Sequence, residues 1–328
     1  MKKRVSLATI AKEAGCTQAT VSLALRNNPR IPESTRTRIQ AIADRLGYRP
    51  HAEVSRLMGL LRETKAPVDR PGMALIYDHP NLSSSGNPSS QETWKGFKKR
   101  ALELGYRPEE FFITPEMSGR RVVQILSTRG IRALVFAALI NPTIVAEMDL
   151  SGFCCASIGN VIRNPKLPRA TSDKYTNTLR ACEELWTLGL RRIALIIPLT
   201  QEERVENTFL SGYLTFHHRQ KHQKWQKPLI YEEDWEDQAA LKKWVQTHKP
   251  DGILAAYSHI TEIIDPDRFK IALINTENHR MIGIDQCHSR IAHAAVELAD
   301  AQFRRNEIGV PKHPKTVMVT GEWCGERS

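Results

Sequence analysis

Nine short apolar runs constrain this chain more than any other feature: MALIYD, EFFIT, RALVFAAL, FCCASIG, RRIALIIP, PLIYEE, DGILAAY, FKIALIN and RMIGID, spread between residues 73 and 285. Several are apolar at nearly every position instead of every second one, the pattern of strands covered on both faces. Between them lie stretches with helical spacing, among them QETWKGFKKRALELG, YTNTLRACEELWTLG and SRIAHAAVELADAQFRRNE. Strands alternating with helices predict a parallel sheet with helices on both faces. Residues 72–328 suffice for two such doubly wound lobes with a ligand cleft at the strand ends. A Pro-rich, charged linker, RETKAPVDRPG, precedes them.

The N-terminal segment is built differently. In SLATIAKEAG, Leu7, Ile10, Ala11 and Ala14 follow the i, i+3, i+4, i+7 spacing of a short amphipathic helix, and Gly15 frees the backbone to end it. Thr17 is placed to cap a second helix, with Val21, Ala24 and Leu25 inward and Gln18, Ala19, Ser22 and Leu23 outward. PESTRTRIQAIADRLGY makes a third, with Ile39, Ile42, Ala43 and Leu46 as its stripe and Gly47 as its stop. Helix, tight turn, helix is the geometry that presents a second helix to the DNA major groove. A small helical cap for protein docking would have the same pattern.

Charge separates the two. Residues 1–65 hold 13 Lys and Arg against 5 Asp and Glu, which is +8 of the whole chain's +11. Arg26, Arg30, Arg36, Arg38, Arg45 and Arg49 surround the small helical unit, as contacts to a phosphate backbone require.

Other chemistry finds little support. The cysteines at 16, 154, 155, 182, 287 and 324 include no C-x-x-C pair and no zinc spacing, so they are expected to be reduced, buried thiols. HHRQKH at 217–222 reads as a solvated helix end and the six tryptophans as packing residues. No metal or cofactor is expected. G-x-G-x-x-G after the first strand, G-x-x-x-x-G-K-[ST], G-x-S-x-G and H-E-x-x-H are all missing, which disfavours an enzyme. A Lys-Glu pair interrupts the first apolar residues before a signal core could form, and no later run reaches a membrane span. The expected location is cytoplasmic, with no membrane partner.

Residues 5–58 resemble the headpiece of the lactose-repressor (LacI/GalR) family of bacterial transcription regulators, through IAKEAG in the first helix, TVS in the second, TR opening the third and LGYRP leading onward. The resemblance implies that Gln18, Ala19 and Leu23 read bases, and that Thr17, Thr20, Ser22, Arg26 and Arg30 hold phosphates. Gln can bond bidentately to adenine, while Ala and Leu can only pack on apolar groups such as a thymine methyl. Leu23 stands where many members carry a basic residue. Residues 51–71 would be a hinge helix and linker, with Leu57 as the apolar wedge for a central minor-groove step. His51 and Val54 depart from the usual Asn and Ala there.

The resemblance continues more diffusely in LWTLGLRRIALI, KPDGILA, GIDQ and RNEIGVPKHPKTVMVTGEW. It implies a periplasmic-binding-protein-like (type I) two-lobe α/β regulatory domain behind an all-α helix-turn-helix headpiece of residues 1–50. Lobe one would comprise 72–160 and 285–312, and lobe two 161–284 and 313–328. Asp78, Asn160, Arg204, Asn275, Asp285 and Gln286 lie just past strand ends and are the cleft candidates. Two sugar-binding landmarks are absent: Phe209 stands where sugar-binding members carry Arg, and no ND-x-x-A-x-G segment follows DGILAAY. The expectation is a cleft for something less polar than a sugar, for a partner protein, or for nothing. The reading as a whole is a homodimeric repressor on a near-palindromic DNA operator, modulated by an unknown small molecule in the cleft. The rival is a solute-binding or sensory protein with no DNA role.

Overall fold

In a computed structural model the chain divides into two compact units, Met1–Asp69 and Arg70–Ser328. Described below are residues 6–25, 31–48, 70–220, 228–231, 238–276 and 281–325.

The first unit contains α1 (Leu7–Ala14), α2 (Gln18–Ala24) and α3 (Glu33–Arg45). Ser6 opens α1 with a capping box, its hydroxyl accepting the Thr9 N–H at 3.2 Å. Gly15, at φ +63°, closes it in a left-handed conformation that a β-carbon would oppose, and so lets the chain reach α2 in three residues. Thr17 caps α2 as expected, accepting the Thr20 N–H at 3.2 Å. Ile10, Val21, Ala24 and Ile39 are wholly buried together, with Ala11, Ala14 and Ala43 between them. Small residues let three short helices meet around so few large ones. Side chains of α3 then satisfy carbonyls at the ends of its neighbours: Arg38 donates to Ala14 O and Gln40 to Ala24 O, each at 3.3 Å.

The second unit is built on two six-stranded sheets. The first contains β1 (Gly72–Tyr77), β2 (Arg107–Phe112), β3 (Ile131–Phe136), β4 (Cys154–Ile158), β5 (Arg169–Ser172) and β11 (Thr316–Val319), all parallel, in the order β11-β5-β4-β3-β1-β2. The second contains β6 (Ile193–Pro198), β7 (Leu229–Tyr231), β8 (Gly252–Ala255), β9 (Lys270–Leu273), β10 (Gly283–Asp285) and β12 (Glu322–Cys324), in the order β12-β10-β9-β8-β6-β7. Only β12 runs antiparallel to its neighbour.

The apolar runs are apolar throughout because both faces are covered. On β1, Met73 and Leu75 point to one core with α4 (Pro88–Glu103) and α11 (His288–Arg305), while Ala74 and Ile76 point to the other with α5 (Gly119–Thr128). On β6, Ile193, Leu195 and Ile197 meet α6 (Lys174–Thr187) and α8 (Thr208–Arg219), while Ile196 meets α9 (Gln238–His248). Two short helices, α7 (Leu199–Arg204) and α10 (Ile260–Ile263), follow β6 and β8. The α4–α11 contact is especially close, since a β-carbon on Gly96 would stand 2.3 Å from the Ser289 carbonyl oxygen.

The lobe boundaries read from the sequence need correcting. Residues 169–172 and 316–319, assigned there to lobe two, pair with each other in the first sheet. The chain therefore passes between sheets after β5, after β10 and between β11 and β12. RATS is largely polar, and TVMV, though apolar at three positions, is only four residues long, so neither stands out by periodicity. No helix among the described residues is long and apolar enough to cross a membrane.

Candidate functional site

Two places gather the predicted site residues. The first is the start of α2. Gln18 is exposed there, while Thr20, Ser22 and Leu23 are half-buried. The Thr17 oxygen is engaged as the helix cap and also lies 3.0 Å from the Thr20 hydroxyl. Ala19 occupies the second position of α2. Two of the arginines expected on phosphates serve the headpiece itself: Arg38 holds the Ala14 carbonyl, and Arg45 pairs with Glu13. Arg26, Arg30, Arg49, His51, Val54 and Leu57 lie outside the described residues.

The second place is a cleft of about 470 Å³ where the carboxyl ends of strands from both sheets meet. Asn160, Arg204, Asn275 and Gln286 line it, as the sequence predicts. Asp78 does not; its carboxylate accepts the backbone N–H groups of Ile140 and Asn141 at 2.9 and 2.6 Å. Asp285 accepts the Cys287 N–H at 2.7 Å and lines a neighbouring pocket of about 310 Å³. Lys174, His288, His79 and Ser89 line the cleft without having been expected there. Lys174 opens the helix that follows β5 after Asp173 alone, so a reading without that strand does not place it at a strand end.

Side chains of the two lobes already touch across the cleft. Asn275, after β9, donates through Nδ2 to Ser89 Oγ at 3.1 Å, in the first turn of α4. Its carbonyl then faces His288 Nε2 at 3.2 Å, so that nitrogen carries the hydrogen and donates. Arg204 donates to the Leu139 carbonyl at 3.4 Å, from the second lobe to the first. Asn160 accepts the Thr171 hydroxyl at 2.8 Å, and Thr171 in turn accepts the Lys174 ammonium at 2.8 Å. Burial pushes His288 down to about 4 and Lys174 down to about 8, because each charged form loses water that the protein does not replace.

The cleft brings the cations of Lys174 and Arg204 together with amide and hydroxyl groups, on a lining that also holds apolar side chains such as Ile158, Val205 and Ile291. Phe209, in the place of an arginine, is fully buried among Tyr213, Phe216 and Leu195. Cys154, Cys155 and Cys182 are buried, as expected, and burial pushes their thiols up. Cys16 and Cys324 are only half-buried. Trp94 stacks on Phe97 and Trp186 packs edge-on to Phe216, both in core roles; Trp225 and Trp235 lie outside the described residues.

Residues 6–51, which span the three headpiece helices, match the family model of bacterial regulatory proteins of the lacI family. In its headpiece the chain is similar to the lacI family. A 73-residue stretch of the chain is also 36% identical to catabolite control protein A of Streptococcus mutans and, equally, of Priestia megaterium. That likeness covers 22% of this chain and 22% of each relative, so it spans about a fifth of their length. Over the whole chain the fold is shared with solved structures at low identity. A complex of the transcriptional regulator CelR with cellobiose matches with a TM-score of 0.59, 16% identity and 98% of both chains covered. The lac repressor dimer bound to operator matches with 0.55, 15% and 98% of both. The fold of those structures, a helix-turn-helix headpiece and a periplasmic-binding-protein-like two-sheet α/β domain, is thus shared over almost the whole chain.

Proposed function

We propose that this chain is a sequence-specific DNA-binding transcription regulator, a repressor, that docks as a homodimer on a near-palindromic operator and is modulated by a small molecule in the interlobe cleft. The observation that carries the reading is the headpiece. A capped, tightly turned pair of helices presents exposed Gln18 at the start of the second, inside a segment of net charge +8. The N-terminal residues of such a helix meet base edges, and the surrounding cations meet phosphates. Gln18, Ala19 and Leu23 are proposed as base readers, Thr17, Thr20, Ser22, Arg26 and Arg30 as phosphate contacts, and Leu57 as a minor-groove wedge. Protein two-fold symmetry would be mirrored in the site. A cytoplasmic location goes with this role, and no catalytic step is assigned to the cleft.

Ligand control follows from the three passages between sheets. A molecule bound to both lobes favours one lobe arrangement, and only that arrangement would bring two hinge segments together on DNA.

Selection of bound sites from a random DNA pool with the purified full-length chain, followed by affinities at two salt concentrations, tests the proposal. An enriched near-palindrome is expected, with log affinity falling by roughly 0.9 per phosphate neutralised for each log unit of salt. Leu57→Ala should cost affinity for the enriched site much more than for random DNA. The absence of any enriched motif, with salt-insensitive behaviour, would favour the solute-binding rival.

A further inference from the structure

The lining of the cleft is unbalanced in sign. Lys174 and Arg204 face it together with the imidazoles of His79 and His288, and among the described residues lining it there is no Asp or Glu. Lys174 donates to the Thr171 hydroxyl at 2.8 Å and to the Ser172 carbonyl at 3.4 Å, both neutral acceptors. The carboxylate beside it in sequence, Asp173, is engaged in capping α6, accepting the Thr176 N–H at 3.1 Å. Glu92 and Asp285 belong to the neighbouring pocket, which shares Ser89, Asn275 and His288 with the cleft and where Arg290 is paired with Glu322. An ammonium withdrawn from water, hydrogen-bonded to neutral oxygens and only partly offset by the Asp173 carboxylate, gains from a further counter-charge. Burial depresses the Lys174 pKa to about 8, in keeping with that deficit.

Helix dipoles act in the same direction. The first turns of α4, α6 and α11 all open onto the cavity, through Ser89, Lys174 and His288, and bring partial positive charge with them. A neutral polyol could use the amide and hydroxyl groups of this lining but would leave Lys174 and Arg204 without an anionic partner in the cleft, since no carboxylate is among the described lining residues.

We propose that the cleft takes a small polar molecule carrying an anionic group, a phosphate ester or a carboxylate, with the anion seated at Lys174 in the field of Arg204. The remaining polar groups, Asn160 and Ser89 among them, are left for the uncharged part of the ligand. The volume of about 470 Å³ falls among small-molecule pockets, which run from roughly 300 to 1,000 Å³. This assignment rests on the reading of the cleft as an effector site, and its test separates the two.

The test is a thermal-shift screen of the full-length chain at fixed ionic strength, followed by calorimetry on every hit. The probes are inorganic phosphate and matched sets of monosaccharides: neutral sugars, their phosphate esters and their uronic or aldonic acids. Stabilisation by phosphate and by at least one anionic sugar is expected, with a Kd at least tenfold below that of its neutral parent. The pairing of esters with acids tells the two anion sources apart. Lys174→Met should weaken that binding at least tenfold, Arg204→Met should weaken it less, and Lys174→Arg should restore much of it. Unchanged melting curves of the empty variants show that each folds. Neutral sugars that bind as well as their anionic partners, indifferent to Lys174→Met, would overturn the anion assignment and leave the effector site standing. Anionic ligands that bind equally to both Met variants would remove them from this cleft. No stabilisation by any probe would overturn both readings.

Discussion

Asn177, in the first turns of α6, accepts the Gly321 N–H at 2.8 Å and so ties two of the three passages between the lobes to each other. Its Nδ2 donates to Ser172 Oγ, also at 2.8 Å, at the end of β5. The third passage lies against the same point, since a β-carbon on Gly321 would come within 2.5 Å of the Asp285 carbonyl oxygen. One nearly fully buried amide therefore holds the place where the lobes join.

Replacing Asn177 with Leu, which keeps the branch at Cγ but no polar atom, should leave the Gly321 N–H and the Ser172 hydroxyl without this partner. Each such loss costs about 1–3 kcal/mol. Urea denaturation should show a lowered midpoint, and a midpoint equal to the parent's would mean that this amide does not hold the junction.

Glu202 is wholly buried in α7, with one oxygen accepting the Leu210 N–H at 3.1 Å and the other without a partner among the described residues. Burial pushes its pKa up from 4.5 to about 7. Between those values the folded state binds the extra proton, so stability contributed by the neutral acid is present at low pH and declines as pH rises through 7. Glu202→Gln, which stays neutral, should gain in melting temperature over the parent between pH 5 and pH 8. A constant difference across that range would mean the carboxyl does not titrate there.

Gln18→Ala should relax base preference at one position of each half-site, by about 1–3 kcal/mol if the contact is bidentate. The readout is the base profile of selected sites, not total affinity. An unaltered profile would take Gln18 out of the set of readers.

An anion in the cleft should bind less well above pH 8. Lys174 loses its proton near 8 in the free cleft, and a bound anion would hold that proton longer, so binding in alkali takes up a proton. Asp173 is the acidic neighbour that opposes the loss, while His288, at about 4, stays neutral throughout. Calorimetry of inorganic phosphate or an anionic sugar at pH 7 and pH 9.5 should show the fall, and an affinity independent of pH would exclude Lys174 as the seat.

All nine strands read from apolar runs are present, and so are the three helices of the headpiece, with the expected cap at Thr17 and with Gly47, at φ +68°, just past the Leu46 cap of the third. Burial on both faces wrote the central strands into the sequence, and a one-sided apolar stripe wrote the headpiece helices. What escaped notice is short or polar: β5 is RATS, β12 is EWC and β11 is mostly exposed. These are the strands that flank the passages between lobes, so the boundaries drawn without them fell in the wrong places. The cleft was half legible for the same reason. Asn160, Arg204, Asn275 and Gln286 follow elements that could be recognised, whereas Lys174 follows one that could not. For Asp78 and Asp285 position was right and orientation was not, because nearby backbone N–H groups claim both carboxylates.

Helix α11 is fixed to the first lobe near both ends, by the close seat of Ser289 on Gly96 and by Gln302, whose amide donates to the Cys155 carbonyl at 2.7 Å and accepts its N–H at 3.3 Å. Eighteen residues at 1.5 Å each make it a strut of about 27 Å. His288 therefore travels with one lobe while Asn275 travels with the other, and the 3.2 Å between them is a built-in gauge of how far the jaws have closed. The nitrogen-15 resonance of that one imidazole would report the opening angle of the regulatory domain with no probe attached to the protein.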